Sequence, residues 1–518
     1  MQNKILISFI LILALSVCFI AGCNNADNTQ TDAEQKAPVS AADEDLPDES
    51  EQAIIEAAAE PIKYVADYLP DITFDGYEFR IVAPLAVGGS PLNICFADVS
   101  EQTGDTVDDA IYKRNRLIEE RYGINIKQIG VNDYTDLSAA FNKSVKAGSD
   151  DFDLCMQISR DAWASALKGY IVPVNKLPYL DVSQPWYSQE VNSQLSINGN
   201  LFFAYSDECL NMFAQTICAV FNKKIAQELA LENIYGLVKD NKWTLDKFFQ
   251  LAKTAALDLD GDGVMTDTDR FGILSQTDFF YPYFWVGSGI KTVGKDENDL
   301  LVFTGNNERL YTILDKVSQN LFGGEKIFYD GVSEKGTKYN ASNYANTRYV
   351  SINQFRDNLG LFYVTDLITI PYHLREMDAD FGIIPFPKSD ENQEKYYSRV
   401  IDGWINCVPN FAENLERTSI IMEALAVESK NITVPAYFEV ALRRKQTRDE
   451  ESLEMLDIIH ACRTMDLGDT FYMNEVRNAY VTVLENKKTD FASAIEKKMG
   501  MIEKTLGKAN DTALALDD

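Results

Sequence analysis

The stretch Asp105–Gly130, DTVDDAIYKRNRLIEERYGINIKQIG, decides the fold class. Thr106 is placed to cap a helix, and Asp108 and Asp109 fall in its first turn, where the helix dipole favours negative charge. Ile111, Leu117, Ile118 and Tyr122 recur at helical spacing, and Gly123 stops the helix. INIKQI then reads as a strand. On the N-terminal side, YEFRIVAPL (77–85) reads as a strand as well. Beyond it, LSAAFNKSVKAG (137–148) is an amphipathic helix and DFDLCMQI (151–158) another strand. Strand, helix, strand, helix, strand calls for a parallel α/β sheet.

The alternation continues along the chain. AWASALKGY (162–170), WTLDKFFQLAKTAAL (243–257), ERLYTILDKVSQNLF (308–322), TSIIMEALAVESKN (418–431) and ESLEMLDIIHACRT (451–464) read as helices. ICAVFNK (217–223), FGIIPFP (381–387) and WINCVP (404–409) read as strands, and proline ends elements rather than interrupting them. With 518 residues the chain has room for two or three domains with sizeable cores. Its net charge of −31 repels phosphate backbones and anionic headgroups, which argues against nucleic acid and against direct docking on a membrane.

The N-terminus carries an address. Lys4 is followed by the apolar run ILISFILILALSVCFIAG (5–22), the pattern of a secretory signal. Ile20-Ala21-Gly22-Cys23 resembles a bacterial lipobox, which implies a signal peptide over 1–22, cleavage before Cys23 and lipidation of that cysteine. Residues 23–60 are acidic and poor in large apolar side chains, so they are expected to be a disordered tether, with a short helix possible in ESEQAIIEAAAE (49–60). No later segment is long and apolar enough to span a bilayer. Cys95, Cys155, Cys209, Cys218, Cys407 and Cys462 contain no CxxC pair; most are expected to be free and buried.

One motif carries metal chemistry. In DLDGDGVMTDTD (258–269), Asp258, Asp260 and Asp262 take positions 1, 3 and 5 of a twelve-residue EF-hand loop. Gly263 takes the turn position, Val264 offers its carbonyl, Thr266 takes position 9 and Asp269 position 12. Ending on Asp rather than Glu, the loop resembles dockerin-type sites. The expected ion is Ca²⁺. A helix enters the loop but RFGILSQ (270–276) leaves it as a strand, so no helix pair is present for a sensor to open. The expected role is a structural clip.

Catalytic motifs are absent. The two histidines, His373 and His460, form no HExxH, and each is expected to be a surface or satisfied polar residue. There is no GxSxG. GVSEKGTK (331–338) misses a P-loop because threonine stands where lysine must reach the phosphates. Paired carboxylates for glycoside hydrolysis remain open among 79 acids, but no pair stands out.

From about Tyr77 onward the chain resembles the extracellular solute-binding proteins of ABC importers, the group that includes maltose-type sugar binders. The stretches that carry the resemblance include AGSDDFDLCMQIS (147–159), LKGYIVPVNKLPYLD (167–181), AVFNKKIAQELAL (219–231) with NKWTLDKF after it, the acidic loop with RFGI, MDADFGIIPFPK (377–388), IDGWINCVPN (401–410) and VPAYFEVALRRKQTRD (434–449). The resemblance implies an α/β, two-lobed periplasmic-binding-protein-like fold of type II, with discontinuous lobes and a hinge. Lobe one is expected near 61–212 plus 401–445, and lobe two near 213–400 plus 446–518. It also implies capture of a solute, most readily an oligosaccharide, in the cleft between lobes, with ABC permease subunits as partners and no catalysis. The pocket residues it implies are Gln157, Ser159, Arg160 and Trp163 after the third strand, and Asp207 before AVFNK. Tyr283 and Trp285 come from YPYFWVGSGI, Phe362 and Thr365 from GLFYVTD, and Asp402 and Trp404 from DGW. Aromatic faces and hydroxyl-bonding polar groups suit a sugar. The alternatives are an exported glycan-active hydrolase with a structural calcium, and a peptide binder of the same fold. The chain is longer than compact sugar binders, with extra segments around 320–350.

Overall fold

The computed structural model describes residues 65–85, 97–344, 346–375, 377–438 and 449–516. The signal peptide, Cys23, the acidic tether and Cys95 lie outside the described residues. Nine strands build the two main sheets: β1 (Tyr77–Pro84), β2 (Ile124–Val131), β3 (Leu154–Ile158), β4 (Ile217–Asn222), β5 (Phe271–Ser275), β6 (Phe328–Asp330), β7 (Gly360–Asp366), β8 (Phe381–Ile384) and β9 (Trp404–Cys407).

The first sheet has the order β9-β3-β1-β2, and the second β6-β5-β7-β4-β8. In the first, β1 runs parallel to β2 and β3, whereas β9 runs antiparallel to β3. In the second, β5 runs parallel to β6 and β7, whereas β4 runs antiparallel to β7 and β8. Each sheet is thus a parallel set completed by one reversed strand, and the reversed strand is the one that arrives directly after the chain has crossed from the other sheet. All six residues of β4 are buried, which explains why ICAVFN reads as a continuous apolar run rather than an alternation.

The opening stretch behaves as its pattern demands, with one change. The helix α1 (Thr106–Tyr122) is capped by Asp105, whose carboxylate accepts from the Val107 and Asp108 N–H groups, and Thr106 is already its first residue. A carboxylate one position earlier reaches the free N–H groups of the first turn and also meets the dipole. Gly123 closes the helix in the left-handed conformation at φ 59°. Ile111, Ile118 and Tyr122 face the core, while Leu117 stays 40% exposed.

Among the described residues the chain passes from one sheet to the other between β3 and β4 and back between β8 and β9; later, α6 (Leu415–Glu428) is followed by α7 (Glu450–Ala461). These passages are tied to one another. Thr216 bridges to Val400, and Ser398–Arg399 pairs with Arg463–Thr464 just after α7. The Arg399 guanidinium, itself buried, holds Asp469 with Nη2–Oδ1 at 2.9 Å. Among the described residues no helix is long and apolar enough to cross a membrane. Cys155, Cys209, Cys218 and Cys407 are buried free thiols, and Cys462 is a half-buried one.

Candidate functional site

In open α/β sheets the carboxyl ends of the parallel strands are where backbone and loop groups converge on a crevice. Both sheets present such an edge. At the first edge, β3 ends at Ile158, and α2 (Ser159–Ala166) begins at the next residue. Because β9 is reversed, its start, Trp404, lies opposite Ile158, and this brings Asp402 and Gly403 to the same edge. The Ser159 N–H donates to the Gly403 carbonyl at 2.8 Å and also reaches Asp402 Oδ1 at 3.2 Å. The Ser159 hydroxyl donates to the same carboxylate, and so does the Gly403 N–H at 2.9 Å. Arg160 Nη1 stands 3.7 Å from Asp402 Oδ2, with its guanidinium over the Tyr134 ring. Burial raises the Asp402 carboxyl, against the opposing pull of Ser159 and Arg160. Gly403 cannot be replaced cheaply: a Cβ there would meet the Tyr205 ring at 2.4 Å.

The other residues expected on this side spread out from that core. Gln157 is buried on β3, where its Oε1 accepts from the Ser165 hydroxyl and its Nε2 has no partner among the described residues. Trp163 stacks on Phe471 at 4.7 Å and 8°, and its indole N–H donates to the Tyr472 hydroxyl at 3.3 Å. Asp207 pairs with Lys430 at 3.2 Å; burial raises its carboxyl while Lys430 and Arg463 pull it down. Trp404 is buried on β9.

The second edge is formed by the ends of β5 and β7. Ser275, Gln276, Tyr363, Val364, Thr365 and Asp366 line a small cavity of about 10 Å³, closed by Tyr283 from α4 (Thr277–Val286) and by Arg348 at the start of α5 (Arg348–Arg356). Arg348 Nη1 lies 3.1 Å from Asp366 Oδ2, and this carboxylate raises the guanidinium. Thr365 Oγ1 donates to Thr369 Oγ1, which in turn donates to Asp366 Oδ1 at 2.7 Å. The Arg399 guanidinium sits 5.1 Å from the Tyr283 ring centroid and so links this edge to the crossover segments.

Tyr283 and Thr365 thus come together at the second edge, and Ser159, Arg160 and Asp402 at the first. Phe362 and Trp285 join neither. Phe362 is fully buried against Trp243 and Phe248, and Trp285 is buried with its N–H donating to Asp466 at 3.0 Å. Both pack the interior, because an aromatic ring in a strand or helix covered on all sides offers more apolar area to the core than to a cleft. Gln276, Arg348 and Asp366 were not anticipated. Gln276 was signalled by its place directly after the strand RFGILS; Arg348 lies in the extra segment, where the family pattern gives no guide. His460 also departs from expectation. Both its ring nitrogens are buried without partners among the described residues, and burial together with Arg463 holds it well below the usual imidazole range.

The acidic loop brings three carboxylates together. Oxygens of Asp258, Asp260 and Asp262 lie within 4.8 Å of one another. Asp258 accepts from the N–H groups of Gly261 and Gly263, both at 2.7 Å, which curls the loop and favours the charged carboxylate. Gly261 and Gly263 both have positive φ, 74° and 85°, as the turn requires. Asp260 is raised although the Asp262 N–H favours its charge; partial desolvation and the neighbouring carboxylates outweigh that bond. Asp269 is buried, with its oxygens accepting from Leu259 N–H, Thr266 N–H and Thr266 Oγ1. Oxygen donors in this set match Ca²⁺, with positions 1, 3 and 5 convergent and position 12 bonded to the loop itself. Next to it, Asp267 accepts from the N–H groups of Lys338 and Tyr339 at 2.7 and 2.6 Å, fastening the loop to the segment that leads into α5.

Solved structures share this architecture. The chain is similar to an extracellular solute-binding protein of Staphylococcus aureus in complex with maltose, at 13% identity and a TM-score of 0.55, over 84% of this chain and 99% of that one. It is similar to a cyclo/maltodextrin-binding protein complexed with maltotetraose, at 13% identity and a TM-score of 0.52, over 85% and 97% of the two chains. An ABC substrate-binding protein from Listeria monocytogenes in complex with cycloalternan matches at 12% identity and a TM-score of 0.51, over 84% and 100%. The fold is the two-lobed α/β fold of type II periplasmic binding proteins. No protein-family model and no curated protein sequence matches the chain. The reversed strands β4 and β9 are what make the fold recognisable in this chain, since each sheet is completed by a strand delivered from across the crossover.

Proposed function

We propose that the chain is the substrate-binding component of an ABC importer, which captures an oligosaccharide between two lobes by hinge closure. The observation that carries this reading is the pair of carboxyl edges, each bearing polar side chains next to aromatic ones, in a chain whose sheets exchange one strand apiece. Lobe one, 61–212 plus 401–445, would hold the first edge, and lobe two, 213–400 plus 446–518, the second. The laced crossover segments at Thr216, Ser398–Val400 and Arg463–Thr464 suit a hinge, because short extended segments absorb small backbone rotations. Lipidation at Cys23 would tether the protein outside the cytoplasmic membrane beside its permease, and the acidic tether would give it reach. In the loop at 258–269, Asp258, Asp260 and Asp262 would hold a structural Ca²⁺ with the Val264 carbonyl, Thr266 and Asp269.

The test is solution scattering of the full chain in calcium buffer, with and without a saccharide that raises its melting temperature. Capture by closure predicts a smaller radius of gyration with ligand and the sugar recovered intact. An unchanged radius would remove the closure mechanism, and conversion of the sugar to product would remove the reading itself.

A further inference from the structure

A larger cavity, of about 540 Å³, lies beside β6, the outer strand of the second sheet. That volume suits a small organic molecule. The cavity shares no lining residue with the small one at the second edge. Its walls are apolar: Leu321 and Phe328 are buried and Phe322 is half-buried. Two helices, Glu308–Phe322 and Asn478–Glu485, end at its rim, and a helix dipole is negative at that end. Tyr281 enters from α4. It is 1% exposed, and its hydroxyl makes no hydrogen bond among the described residues. Unlike the sealed polar atoms of the interior, this oxygen is still reached by solvent.

The charge around that hydroxyl decides what suits it. Burial, and then the carboxylates of Asp330, Glu485 and Glu334, hold the phenol well above its usual range. It therefore stays neutral, with lone pairs to accept from an entering N–H group. Asp330 is fixed in place by the Val332 N–H at 3.0 Å and by the Ser333 hydroxyl. Two lysines also line the cavity, but both are engaged elsewhere. Lys326 Nζ stands 3.0 Å from Glu334 Oε2 and 5.7 Å from the Phe271 and Tyr329 ring centroids, and Lys487 Nζ lies 5.6 Å from that of Phe322. Neither is among the charges that act on Tyr281. The end of the cavity at Tyr281 is negative, so an anion is repelled there. A cation gains from the carboxylates, the helix ends and the aromatic faces. The apolar walls call for a hydrophobic body behind that charge.

We propose that this cavity is a second binding site, separate from the two carboxyl edges, for an organic cation: a primary ammonium carried on an aromatic body. Tyr281 Oη accepts from the ammonium, Asp330 and Glu485 supply the opposite charge, and Leu321, Phe322 and Phe328 hold the apolar part. The site stands whether or not a saccharide is captured at the carboxyl edges.

The experiment titrates the full chain, by calorimetry, with phenethylamine, phenethyl alcohol and hydrocinnamate, which carry an ammonium, a hydroxyl and a carboxylate on the same ring and two-carbon stem. Wild type, Tyr281→Phe and Glu485→Gln are compared. Glu485 is exposed and the tyrosine change is conservative, and the melting temperature of each ligand-free variant serves as the folding control. The expected result is that the amine binds, the alcohol binds at least tenfold more weakly, and the carboxylate does not bind. Glu485→Gln should weaken the amine about fivefold and Tyr281→Phe about threefold, both melting within a few degrees of wild type. Hydrocinnamate binding as tightly as the amine would overturn the site. So would no amine binding at millimolar concentration, or an amine affinity unchanged in either folded variant. Each of these outcomes leaves solute capture at the carboxyl edges standing.

Discussion

At the first carboxyl edge, one buried carboxylate gathers its surroundings: Asp402 accepts from the Ser159 N–H and hydroxyl and the Gly403 N–H, with Arg160 alongside. At the second, Gln276 is buried with an N–H group that nothing among the described residues accepts. The strand arrangement is alike at the two edges, a parallel set with one reversed strand, and each carries a buried amide whose Nε2 has no partner among the described residues, Gln157 at the first and Gln276 at the second; they differ in the charge beside it, a carboxylate that gathers three donors at the first and the Arg348–Asp366 ion pair at the second. A carboxylate with its donors in place stabilises the fold and presents a rigid wall; a buried amide without an acceptor costs stability. The contrast predicts that cutting into the first edge costs the fold more than cutting into the second.

The sharpest way to break this contrast is Asp402→Ala. It strands the Ser159 hydroxyl and the Gly403 N–H in a buried place, while the Ser159 N–H keeps the Gly403 carbonyl, so urea unfolding should show a loss on the order of 4 kcal/mol. A loss under 1 kcal/mol would mean that the first edge is not the structural one.

The helix α6 also holds a pH-sensitive group. Glu423 accepts from Tyr187 and Tyr68 hydroxyls at 2.6 and 2.9 Å and from the Trp186 N–H at 2.9 Å, and burial pushes its carboxyl up to about 7. Its folded value lies above the unfolded one, so its contribution is full below about pH 4.5 and fades as pH rises through about 7. Linkage puts that contribution at up to about 3 kcal/mol. In Glu423→Gln the difference in stability between pH 5 and pH 8.5 should shrink by that order; an unchanged pH profile would show that another group carries it.

On the second lobe's side, chelation should lower stability by about 2 kcal/mol if calcium in the buffer stands well above its dissociation constant. Asp260→Ala should remove the sensitivity to EDTA, measured as the shift in melting temperature. Equal melting with and without EDTA in the wild type would count against the ion. The smallest effect runs the other way: Gln276→Leu, which removes an unpaired buried amide, should stabilise the ligand-free protein by about 1 kcal/mol.

Much of the fold could be read from local pattern. The helix 106–122, the strands around it and the apolar run of β4 follow from capping, periodicity and burial on both faces, all of which are local. At the first edge QISR and DGW were legible as two compact stretches, and their meeting follows from the pairing of β9 with β3. The second edge was only half legible. Gln276, Arg348 and Asp366 are spread over 90 residues, and Arg348 comes from the extra segment that Asp267 fastens in place. Their meeting depends on the strand order β5-β7 and not on any spacing along the chain. Phe362 and Trp285 misled for a related reason. An aromatic residue in a strand or helix looks the same in sequence whether its ring faces a cleft or, as here, Trp243 or Asp466.

The most direct measurement is a thermal-shift screen of the full chain in calcium buffer, against mono- and oligosaccharides, peptides and polyamines, followed by analysis of the recovered ligand. A ligand that binds only the folded state raises the melting temperature by mass action. The expected result is a clear rise with one class of saccharide and the sugar recovered unchanged. A rise confined to peptides or polyamines, or a saccharide returned as product, would contradict it.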